Sequence, residues 1–140
     1  MTCACRNRLR VPATIAFVAA ACSQAPSSPS QVSAGIWGGD HIAMTVVTAA
    51  THLEFDCAHG DVAGAFTTDS QGQFSVSGTF VREHGGPIRV DEVADAHPAS
   101  YAGAIRGDSM NLTVRLTDAP DVIGTFALTR GSLARVVKCL

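Results

Sequence analysis

Arg106-Gly107-Asp108-Ser109-Met110-Asn111-Leu112-Thr113-Val114-Arg115-Leu116 is the stretch that decides the fold class. Met110, Leu112, Val114 and Leu116 alternate with Asn111, Thr113 and Arg115. Successive side chains of a strand point to opposite faces, so this period of two is that of a half-buried β-strand. Arg106 to Ser109 is a tight-turn segment that folds the strand back on Tyr101–Ile105. The same alternation recurs upstream: Ile42, Met44 and Val46; Leu53, Phe55 and Cys57; Phe74, Val76 and Phe80. Turn chemistry separates the runs at Asp69-Ser70-Gln71-Gly72, Ala119-Pro120-Asp121 and Thr129-Arg130-Gly131-Ser132. No helical period emerges. The expectation is an all-β domain, a small antiparallel meander of roughly seven to eight strands. Closing it into a barrel would remove exposed edges; a two-sheet sandwich is the alternative. One long irregular stretch, His84 to Ala99, carries Gly85-Gly86-Pro87, three acidic residues and Pro98. Long loops on small rigid scaffolds often carry function.

The 140 residues fit a single domain. With 46% hydrophobic and 16% charged residues, the chain is neither disordered nor a highly charged nucleic-acid binder. The formal net charge of −2 conceals an asymmetry. Three of the 10 basic residues are Arg6, Arg8 and Arg10; without them, seven basic side chains face 12 acidic ones, a net charge of −5. An acidic domain with one Trp and one Tyr is a poor nucleic-acid partner.

The three early arginines precede an apolar stretch, Val11–Ala21, and together residues 1–21 read as an export signal. The stretch is too short for a membrane span, which needs roughly 20 apolar residues. Ala19-Ala20-Ala21-Cys22 resembles the lipobox of bacterial lipoproteins, although the usual first-position Leu is Ala19. That resemblance implies lipidation of Cys22 and an envelope location facing the periplasm. Residues 22–34, rich in Pro and Ser and free of charge, suit a flexible tether to a domain at 35–140. Ordinary signal-peptidase cleavage at Ala19-Ala20-Ala21 or within Cys22–Ala25 is the alternative, and would leave a soluble periplasmic or secreted protein. In an exported domain, Cys57 and Cys139 are most simply one disulfide. It would close a loop of about 80 residues, with roughly 4–4.5 kcal/mol of chain-entropy stabilisation.

Gly35-Ile36-Trp37 opens the domain. A GxW opening resembles that of calycin-type barrels: lipocalins, avidins and small periplasmic inhibitors of bacterial metalloproteases. In those folds the Trp plugs one end of the barrel, and the domain here is nearer the avidin or inhibitor size. Trp37-Gly38-Gly39-Asp40-His41, Glu54-Phe55-Asp56-Cys57-Ala58-His59-Gly60 and Glu83-His84-Gly85-Gly86-Pro87 resemble segments of small exported bacterial proteins that have no assigned activity.

His41, Glu54, Asp56, His59, Glu83 and His84 fall at or near strand ends in three short segments, and with Trp37 they form the candidate binding set. Histidines with carboxylates are a ligand set for zinc or a similar divalent ion. The spacing argues against one site. Glu54 and Asp56 share a strand face, while Cys57 and His59 point the other way if the strand continues, so a single site needs a bulge near Ala58-His59-Gly60. No HExxH, paired CxxC, EF-hand loop or G-x-S-x-G elbow is present. The reading is therefore a non-catalytic, lipid-anchored envelope barrel that binds a protein partner at its loop rim or a small apolar ligand inside. No cofactor is called for, and a divalent metal held at the rim is the alternative.

Overall fold

The computed structural model describes residues 29–139, and they are all-β. The export-signal segment 1–21, Cys22 and residues 23–28 of the expected tether lie outside the described residues. The strands are β1 (Ser30–Gln31), β2 (Gly35–Gly39), β3 (Ile42–Val47), β4 (Ala50–Phe55), β5 (Ala58–Ala63), β6 (Thr67–Thr68), β7 (Gln73–Arg82), β8 (Asp95–Arg106), β9 (Ser109–Leu116) and β10 (Val122–Arg130). All but β1 and β6 close into one antiparallel barrel in the order β10-β2-β3-β4-β5-β7-β8-β9. The expected meander is thus a closed eight-stranded barrel rather than a sandwich. β1 and β6 pair separately beside it.

The alternation read in the sequence is the in–out alternation of the barrel wall. Ile42, Met44, Val46, Leu53, Phe55, Met110, Leu112 and Val114 point inward and are almost wholly buried. Phe55 packs against Phe80 and Phe126 with ring centroids 5.3 and 5.4 Å apart. Trp37 is 1% exposed, with the Arg130 guanidinium 4.9 Å from its ring centroid, so it is a core residue and presents no surface to a ligand. Packing also reaches upstream of Gly35: Val32 is buried, and its N–H donates to Phe66 O at 2.8 Å.

A meander sends its connections alternately to two rims. The first rim holds the Thr48-Ala49 turn, the connection 64–72 and the Gly107-Asp108 turn, and the chain enters here through β1. The second holds Asp40-His41, Asp56-Cys57, the connection 83–94 and the connection 117–121. The long irregular stretch ends sooner than the sequence suggested, because β8 begins at Asp95 and includes Pro98. A proline is tolerated where its missing N–H interrupts no ladder. Pairing with β9 starts only at Ala99, and the Pro98 carbonyl still accepts the Thr117 N–H at 2.9 Å.

Beyond β10 the chain turns and runs back outside the barrel toward the second rim. A side chain at Gly38 would lie 2.3 Å from Ser132 O, so the bare glycine surface is what lets this strap pass. Arg135 exchanges backbone hydrogen bonds with Gly39 and His41 (3.0 and 2.7 Å). The Val137 N–H donates to Asp56 Oδ1 at 2.7 Å, and the strap ends in the Cys57–Cys139 disulfide, across 82 positions of sequence. The bond expected from the exported context is present.

Two predictions concern stability. Reducing the disulfide, or Cys139→Ser, should lower the unfolding free energy in urea by about 4–5 kcal/mol; an unchanged midpoint would show that the strap does not hold the barrel. Gly60→Ala would put a methyl 2.1 Å from the Tyr101 hydroxyl, which donates to Thr79 O at 2.6 Å. It should cost about 1–3 kcal/mol by the same measurement, as overpacking does.

Candidate functional site

The β4–β5 hairpin turns at Asp56-Cys57, and Cys57 adopts φ 52°, the left-handed region that such turns favour. A strand running on through Cys57 would set His59 on the face opposite Glu54; the chain turns there instead. No bulge is needed: the register sets Glu54 opposite His59 and His52 opposite Asp61, all on the outer face. His52 lies between two carboxylates, Nδ1 to Asp61 Oδ1 at 2.7 Å and Nε2 to Glu54 Oε1 at 2.8 Å. Carboxylates only accept, so both contacts are hydrogen bonds only when both ring nitrogens carry protons. His59 Nδ1 donates to Glu83 Oε1 at 2.6 Å, and its ring centroid is 6.1 Å from that of His52. Lys138 of the strap completes the cluster: it pairs with Glu54, donates to Glu83 Oε2 at 2.9 Å and to Ala58 O at 3.0 Å.

Three further histidines line the second rim. His41 Nδ1 donates to Asp56 Oδ2 at 2.5 Å, bracing the turn from which Asp56 holds the strap. His84 donates from Nδ1 to Gly85 O at 2.9 Å and from Nε2 to Glu92, so its hydrogen bonds stay within the long connection. His97 Nδ1 donates to Asp118 Oδ2 and Nε2 to Asp95 Oδ1, both at 2.8 Å. Arg82 stands beside this last group, 3.6 Å from Asp95 and 3.4 Å from Asp121.

The structure therefore gathers Glu54, His59 and Glu83 of the candidate set into one cluster and adds His52, Asp61 and Lys138. It leaves His41–Asp56 and His84–Glu92 as separate pairs and buries Trp37. His52, Asp61 and His97 escaped the sequence reading because their meaning lies in cross-strand register, which single-chain spacing does not carry. Among the described residues, no group of three His, Cys, Asp or Glu side chains is arranged to hold a metal ion. The imidazoles are instead hydrogen-bonded to carboxylates. Comparison with known proteins adds no name to this geometry: no family model, curated protein or solved structure matches the chain.

The pairings move the titrations. Hydrogen bonds to Asp61 and Glu54 raise His52 above its usual 6.5, those to Gly85 O and Glu92 raise His84, and those to Asp118 and Asp95 raise His97. The bond from the Val137 N–H and then from His41 lowers Asp56; bonds from His59 and Lys138 lower Glu83. For Glu54, burial opposes the charged form, but the bonds from Lys138 and His52 outweigh it and the net shift is downward. Stability from a raised histidine is complete below 6.5 and is lost as pH climbs through the folded-state value. Stability from a depressed carboxylate is complete above about 4.5 and is lost as pH falls through its folded-state value. Thermal stability should therefore peak between about pH 4.5 and 6.5 and decline on either side. His52→Gln should lower the melting temperature at pH 5.5 more than at a pH above the folded-state titration of the wild-type imidazole, where that ring has also lost its charge. An equal loss at both pH values would show that the His52 proton contributes nothing.

Proposed function

We propose that this chain is a non-catalytic, lipid-anchored envelope barrel that binds a protein partner through its second rim. One observation carries the reading. Within the six residues 88–93 of the long connection, Ile88, Val90 and Val93 are 83%, 109% and 90% exposed. Scattered apolar residues on a surface mean little, but a concentration of large ones on one loop marks an interaction site. The barrel interior favours the same choice over an internal apolar ligand. Trp37, Met44, Leu53, Tyr101, Met110 and Leu112 occupy it at 1% exposure or less, as in barrels small enough for side chains to fill. Because the chain enters at the first rim, a tether from Cys22 would direct the apolar loop away from the bilayer.

Photo-reactive residues placed at 88, 90 and 93 in cells should each trap the same discrete protein, while one at Val47 on the first rim should not. An adduct equally strong from position 47, or none from the loop, would overturn the reading. Mass spectrometry of the membrane fraction should find a diacyl or triacyl mass on Cys22. A free N-terminus at Ser23 or beyond would remove the anchor and leave the partner site to be judged by the trapping experiment.

A further inference from the structure

The connection 83–94 folds back on itself beside an open groove of about 620 Å³ on the outer wall, lined by His59, Val81, Ile88, Val93 and Cys139 among others. His84 holds the fold-back. Its Nδ1 reaches the carbonyl of Gly85 at 2.9 Å and its Nε2 the carboxylate of Glu92, eight residues on. The other Glu92 oxygen accepts the Arg89 N–H at 3.1 Å, so the carboxylate ties the imidazole to the middle of the loop. Both His84 partners are acceptors that never donate. The imidazolium satisfies both; the neutral ring has one proton and must give up one bond, and its ion pair with Glu92 disappears.

The charged groups around His84 all bear on that proton. Its own loop contributes Arg89, Asp91 and Glu92, the end of β7 contributes Arg82 and Glu83, β5 contributes His59, and β8 contributes Asp95. Several are occupied elsewhere: Glu83 by His59 and Lys138, and Arg82 by Asp95 and Asp121. Among the described residues, Glu92 is the one of these that forms an ion pair with His84.

His97, at the base of the same connection, provides an internal contrast. Its Nε2 lies 2.8 Å from Asp95 Oδ1 and also 3.2 Å from Arg82 Nη1. The protonated nitrogen donates to Asp95; the deprotonated one can accept from Arg82. Both ring nitrogens of His97 keep a partner in either state, whereas neutral His84 loses one of its two hydrogen bonds and the charge that faces Glu92.

We propose that His84 is a proton-operated clasp. Doubly protonated, it holds residues 85–93 folded and sets Ile88, Val90 and Val93 in one arrangement; on losing a proton it releases the loop while the barrel and the base at His97 stay in place. What the loop then presents to a partner rests on the function proposed above; the clasp itself does not.

The test is ¹⁵N relaxation of the full-length chain in detergent micelles at about pH 5.5 and at a pH above the observed titration of the His84 ring, so that the two conditions lie either side of its proton loss. Amides of 85–93 should show order parameters near those of rigid backbone, about 0.85, at the lower pH and below about 0.6 at the higher. The midpoint should follow the titration of the His84 ring. His84→Ala and Glu92→Ala should each leave the loop mobile at both pH values, and His97→Gln should retain the transition. An equally ordered loop at both pH values, or a transition that survives His84→Ala, would overturn the clasp. The measurement needs no partner, so a failed trapping experiment leaves the clasp standing, and a failed clasp leaves the trapping result standing.

Discussion

The barrel closes through a narrow seam. β10 meets β2 at only two residue pairs, Thr129↔Gly38 and Arg130↔Trp37, where β7 and β8 share ten. A sheet that ends here without help would offer two open edges for pairing with another chain. The strap after β10 supplies the help. It crosses the outer face at Gly38, exchanges backbone bonds with Gly39 and His41, and is pinned by the disulfide to the β4–β5 turn. The same segment delivers Lys138 between Glu54 and Glu83. The cation that balances the outer cluster is therefore in place only because the seam is closed, and the closing bond and the cluster belong to one arrangement.

Much of the barrel was legible in the sequence because its inward residues follow the period of two that a half-buried strand imposes. β9 is the clearest case, since Met110, Leu112, Val114 and Leu116 are all inward and buried. The β4–β5 turn was not legible. Tight hairpin turns announce themselves through glycine or asparagine in the left-handed region, but here Cys57 occupies that region, with its side chain committed to a disulfide. Without that turn, strict alternation places His59 on the face opposite Glu54, where the register in fact sets the two side by side. The loop boundary failed for a related reason: Pro98 ordinarily argues against an inner strand, and only the late start of the β9 ladder reconciles it with β8. Spacing along one chain does not report which residues a neighbouring strand sets opposite, so the pairings of His52 with Asp61 and of His97 with Asp118 emerge only from the closed sheet.

Inside and outside carry different burdens. The inner face is apolar, and its burial supplies the main driving force for folding. The histidine–carboxylate pairs stand on the outer wall and rims, where water and salt screen single ion pairs and leave them little net contribution. They are therefore not what makes the barrel stable. Their consequence is positional: His41 steadies the turn whose Asp56 grips the strap, His59 and Lys138 fix Glu83 at the end of β7, and His97 joins the start of β8 to the β9–β10 connection.

That division bears on where a function can reside. A filled interior fixes shape and leaves little room for chemistry, since moving one core side chain disturbs its neighbours across the barrel. The outer network is cheap to rearrange, because each bond is weak and its groups are reached by water. His52, His84 and His97, each held protonated to higher pH by its carboxylate partners, make its charge balance depend on the pH of the surroundings. A rigid barrel with a pH-sensitive rim separates the two demands: the core keeps its shape while the rim can change its state. The exposed Ile88, Val90 and Val93 belong to the rim element whose clasp, the His84–Glu92 pair, ties the loop to itself and not to the barrel wall, and this is the element that can move without disturbing the core.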